Sequence, residues 1–115
     1  MASSKISDLL IATARFQEKK GANVASANDM VLGNDGNFFS ITGTTTINTI
    51  SANNWQSGSV IKLQFNDNIT VKHNTAGTGA SLLLSGAGDM SATADDTLTL
   101  VYDGTTWREL ARTVI

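Results

Sequence analysis

The 115-residue chain contains no cysteine, no proline and a single histidine. Without cysteine there is no disulfide framework, no zinc–thiolate centre and no thiol nucleophile, and redox chemistry gives no reading of the compartment. Charge is scarce as well: 16% of residues are charged, against about 25% in an ordinary domain, and the net charge is only −2. That excludes a highly charged disordered tail and makes nucleic acid and membrane surfaces poor partners. No apolar run is long enough to cross a bilayer as a helix. The opening Met1-Ala2-Ser3-Ser4-Lys5-Ile6-Ser7-Asp8 makes a poor secretory signal, because Asp8 breaks a short apolar stretch. With Met1 in place the chain reads as complete.

Small polar residues fill the gap. Thr, Ser, Asn and Gly together make 46 of the 115 residues, a composition of strands with many turns. The length suits one domain. Charge divides it unevenly: residues 1–20 carry Lys5, Arg15, Lys19 and Lys20 against Asp8 and Glu18, whereas residues 21–115 carry four basic and eight acidic groups. A slightly basic arm leads into an acidic body.

The spacing of Ile6, Leu9, Leu10, Thr13 and Phe16 is that of one helical face, and Lys19-Lys20-Gly21 forms a plausible helix stop. Residues 1–28 are therefore expected to be an N-terminal arm or short helix followed by a linker over Gly21–Asn28, and residues 29–115 a β-domain. Such an arm either packs on its own domain or docks on a neighbour, since a separate amphipathic piece cannot bury its face alone. In the β-domain, Ile61, Leu63 and Phe65 alternate with Lys62 and Gln64, and Ile69-Thr70-Val71-Lys72-His73 alternates again after Asn66-Asp67-Asn68, which predicts a hairpin. Asp103-Gly104 between two further strands predicts a two-residue turn. Seven or eight strands at these intervals predict an all-β fold, an antiparallel jelly roll, β-sandwich or small barrel. No repeat of 20–50 residues is visible.

Candidate chemistry is sparse. His73 has no Gly-x-Ser-x-Gly elbow to serve. Asp95 and Asp96 are adjacent, and adjacent strand residues face opposite ways, which works against a paired-carboxylate hydrolase. Asn34-Asp35 and Asn66-Asp67-Asn68 offer oxygen ligands but lack an EF-hand loop, and Asx turns account for them. No catalytic residue, metal or cofactor is expected. Trp55, in the polar loop Asn53–Gly58, and Trp107, after the Asp-Gly turn, are expected to cover the ends of the β-core, with Trp55 and Tyr102 as alternative sugar contacts.

Three stretches, Gly36–Thr44, Gly58–Phe65 with Ile69–Asn74, and Asp96–Glu109 with its Asp103-Gly104 turn and Trp107, resemble small β-domains of tailed-bacteriophage virion proteins. The opening Lys5-Ile6-Ser7-Asp8-Leu9 is similar to the start of some phage fibre proteins. The resemblance covers about residues 30–112. It implies a homotrimer of jelly-roll-like domains on a virus particle. One expectation is a capsid decoration (cement) protein on the outer capsid surface, gripping the major capsid protein through Ile6, Leu9, Leu10, Ile11, Arg15, Phe16, Lys19 and Lys20. The alternative is a short tail or head fibre whose receptor-binding tip meets host glycans at Trp55 or Tyr102. The short stretch before the β-domain, in place of a long shaft, favours decoration.

Overall fold

From Lys20 to Val71 the chain runs three times over the same course. The computed structural model describes residues 17–115. The first rung holds β1 (Val24–Ala25) and β2 (Asp29–Met30), the second β3 (Phe38–Thr42) and β4 (Thr49–Ile50), and the third β5 (Val60–Phe65) and β6 (Ile69–Val71). The rungs stack in parallel: Val24 lies beside Ile41 and Ile41 beside Phe65, Asp29 lies beside Thr49, and Ile47 bridges Val71. Parallel strands need a crossover between them; here each crossover is the other strand of the rung and its return loop. The four remaining strands, β7 (Ala80–Leu83), β8 (Met90–Ala92), β9 (Thr97–Tyr102) and β10 (Trp107–Thr113), fold back over this stack. β8 and β9 lie antiparallel on β6 and β5, β7 lies antiparallel on β4, and β10 fits between β9 and β7.

The main sheet has the order β1-β3-β5-β9-β10-β7-β4-β2, with β6 and β8 forming a separate pair. Its two edges, β1 and β2, are consecutive in the chain, so the sheet nearly closes on itself like a barrel. The fold is all-β, as composition and alternation imply. The pairing is mixed, however, and not antiparallel throughout as expected. Alternation reports that a segment is a half-buried strand; it carries nothing about the direction of the neighbour.

Ile61, Leu63 and Phe65 point inward with no exposed surface, and Phe39, Ile41, Ile47, Ile50, Leu98, Leu100 and Trp107 join them. Side chains meet in columns across the rungs: Phe39, Leu63 and Leu98 pair in register, as do Ile61 and Leu100. Cross-strand apolar neighbours of this kind are the unit of sheet stabilisation.

Several local expectations are corrected. Phe65 and Ile69 do not open a hairpin: β5 is held by β3 and β9, while β6 pairs with β8. Asn66–Asn68 is a corner of the third rung, its Asn66 N–H donating to the Ile41 carbonyl at 2.9 Å. Gly21–Asn28 is not a free linker but part of the first rung, and Lys20 bridges Phe38 where a helix stop was expected. The helical face Ile6–Phe16 lies outside the described residues. The last hairpin turns about Gly104-Thr105, not Asp103-Gly104, because Tyr102 pairs with Trp107. The Asp103 carboxylate accepts the Thr105 and Thr106 N–H groups at 2.9 and 2.7 Å and so fixes that four-residue connection.

Candidate functional site

An aromatic line runs through one part of the core. Trp107 is fully buried and its indole N–H donates to the Ile50 carbonyl at 3.1 Å. Trp55 packs edge-on against Trp107 (centroids 6.0 Å apart) and against Phe39 (6.5 Å). Tyr102 packs on Trp107 at 5.1 Å. The two tryptophans therefore differ. Trp107 is a core residue with its polar atom satisfied, as burial demands. Trp55 is only part-buried, and its indole N–H has no acceptor among the described residues.

Trp55 forms part of an open pocket of about 280 Å³, with Gly33, Asn34, Gly36 and Asn54. Two loops build it: the return of the first rung, after β2, supplies residues 33–36, and the return of the second rung, after β4, supplies 54 and 55. The Asp35 side chain does not line the pocket, and one of its carboxylate oxygens accepts the Ala22 N–H at 2.8 Å; that bond holds the carboxyl below its usual range. Asn54 adopts a positive φ of 68°, a conformation asparagine tolerates better than most residues. Neither the Asn34 nor the Asn54 amide has a hydrogen-bond partner among the described residues, whereas the Asn37 amide reaches Glu18 and the Val60 carbonyl, and the Asn28 amide the Thr46 carbonyl.

The other sequence candidates are scattered. Tyr102 is not part of this pocket; its hydroxyl donates to the Gly104 carbonyl at 2.9 Å. Lys19 and Lys20 are exposed where the chain joins the first rung, the Lys20 ammonium lying 5.8 Å from the centre of the Phe38 ring. Ile6, Leu9, Leu10, Ile11, Arg15 and Phe16 lie outside the described residues. His73 uses Nδ1 to accept the Leu84 N–H at 3.0 Å. Asp96, 1% exposed, accepts the Thr93 and Ile115 N–H groups, which hold its carboxyl below the usual range. Its neighbour Asp95 takes a left-handed turn conformation at φ 74°. The Asp96 carboxylate is working as a strand-end acceptor, and Asp95 donates its backbone N–H to the Phe65 carbonyl at 2.8 Å. Among the described residues no three His, Asp or Glu side chains gather as metal ligands. A second hollow, about 220 Å³, is lined by Thr44, Asn68, Ile69, Thr70 and residues 91–93 and holds no titratable group.

Trp55 was visible in the sequence as a candidate; Asn34 was visible as an Asx-turn residue and Asn54 only as part of the polar loop around Trp55, because nothing in a single sequence brings two return loops together. Compared with models of known protein families, with curated proteins and with solved structures, the chain matches none.

Proposed function

We infer that the chain is a structural protein of a tailed-phage particle, a capsid decoration protein that trimerises and grips the major capsid protein through its N-terminal segment. The observation that carries this reading is the way the segment is rooted. Glu18 pairs with Lys62 at 3.1 Å and accepts from the Asn37 amide, the Lys19 carbonyl accepts the Asn37 N–H at 3.0 Å, and Lys20 bridges Phe38. Residues 18–20 are thus tied to the second and third rungs as they enter the first. Whatever residues 1–16 grip is coupled to a firm body and not to a loose tether. The reactive side chains support a mechanical role, since His73 and most of the carboxylates are engaged in holding turns. In a trimer, three such segments add avidity without tight single contacts.

The test is co-sedimentation with capsids that lack this protein. The full chain is expected to bind them, and a variant lacking residues 1–16 to keep its thermal midpoint but lose at least about tenfold in occupancy. Unchanged occupancy overturns the reading. A fibre tip is the second reading, favoured by the pocket at Trp55. Its copy number per particle, counted against the major capsid protein, separates the two.

A further inference from the structure

The geometry points to the Trp55 pocket as a binding site for a neutral saccharide, with the indole as stacking surface and the Asn34 and Asn54 amides as hydrogen-bonding groups. This deepens the fibre-tip reading by naming a ligand class, and it holds equally for a decoration protein, since it concerns the isolated body alone.

Four observations converge. First, Trp55 is held in place by edge-on contacts with Phe39 and Trp107 yet stays part-exposed. A sugar ring offers apolar C–H faces and a polar rim, and an amphipathic aromatic matches both. Second, the two asparagines beside it have no partner among the described residues, whereas the Asn28 and Asn37 amides are tied to the Thr46 and Val60 carbonyls. A free carboxamide offers two donors and an acceptor, the complement of a hydroxyl pair. Third, the remaining walls are Gly33 and Gly36, which put no side chain over the space. Fourth, no charged side chain lines the pocket, and the nearby Asp35 carboxylate is engaged by the Ala22 N–H. A neutral sugar therefore fits better than a sialic acid or a sulfated one. The volume, about 280 Å³, lies at the small end for ligand sites and suits one ring with its neighbours left in solvent.

The experiment uses the full chain, labelled with nitrogen-15, titrated with methyl glycosides of glucose, galactose, mannose, N-acetylglucosamine and N-acetylgalactosamine. At least one glycoside is expected to shift the Trp55 indole N–H resonance saturably, with Kd of about millimolar order for so small a ligand, and to leave the Trp107 indole unmoved. Asn34→Ala and Asn54→Gly are expected to weaken binding about tenfold each. Neither touches the packing of the ring, and glycine accepts the positive φ at residue 54. They decide the matter even if Trp55→Ala fails to fold. The proposal falls if no glycoside gives a saturable shift, if both indoles move together, or if both asparagine variants bind as the parent does. None of these outcomes touches capsid occupancy, so the two readings fail separately.

Discussion

Gly36 sits where the return of the first rung passes close to its own start at Lys19 and Gly21. A Cβ there would press into the Lys19 carbonyl oxygen and lie 2.6 Å from the Gly21 nitrogen, both backbone atoms that cannot swing aside. Gly36→Ala is expected to cost about 1–3 kcal/mol, the usual range for overpacking, read as a lower urea midpoint. Trp107 combines volume with a hydrogen bond between residues 57 apart in the chain, from β10 to the Ile50 carbonyl. Trp107→Phe leaves space and an unmet acceptor, at about 2–4 kcal/mol. Asp103 contributes to acid behaviour. The Thr106 N–H, the Arg108 guanidinium and the Thr105 N–H hold its carboxyl well below the usual range, and Asp29, Asp89, Asp96 and Glu109 are shifted the same way. A lowered folded-state pKa contributes stability that is complete above the unfolded value, about 3.9 for Asp, and is lost as pH falls through the folded value. The contribution of these carboxylates to stability against urea is therefore expected to be complete at pH 7 and to decline below about pH 4. In Asp103→Asn, Oδ1 can still accept the turn amides but the Arg108 pair is gone, so the acid limb becomes shallower.

Strand β10 shows how an element can be legible in kind and hidden in detail. Its alternation begins with buried Trp107, but the register slips between Glu109 and Ala111, leaving Leu110 as an unpaired extra residue that is 58% exposed. In a regular strand Glu109 and Arg112 would face opposite ways; the bulge puts them on one face. There the guanidinium meets the carboxylate in a fork at 2.7 Å on each arm, and Glu109 also accepts the Ser85 N–H at 2.8 Å. Deleting Leu110 is expected to restore the plain alternation, break that fork and lower the thermal midpoint by several degrees; a midpoint equal to the parent's would show that the bulge is only tolerated. The sequence made β5, β6, β9 and the turn at Gly104 readable because alternating burial and turn chemistry are local. It did not make the partners readable. Val24–Ala25 and Met90–Ala92 are too short to alternate visibly, and the three rungs share no repeated motif, since their ladder offsets differ: Val24 to Ile41 is 17 residues and Ile41 to Phe65 is 24. The pocket was hidden for the same reason, its walls coming from separate return loops.

At the scale of the molecule, stability is expected to be graded along the stack. The third rung is covered on both sides, β5 lying between β3 and β9, while the first rung ends the sheet at β1 and β2. Local opening follows such differences in packing and pairing. Hydrogen exchange should therefore protect Leu63 and Phe65 most and release the amides of residues 21–26 first; equal protection would mean that the rungs open only together. The placement of β10 has a different consequence. It is the last strand in the chain and yet it lies in the middle of the sheet, between β9 and β7. Synthesis delivers the rungs early and this strand late, so a nascent chain can stack its rungs while β9 and β7 still present bare edges to any passing strand. The interval before residues 107–113 emerge is the time at which this protein is most exposed to mispairing with its own siblings. A delay between the emergence of β9 and that of β10 would cost more soluble product than the same delay between the first two rungs.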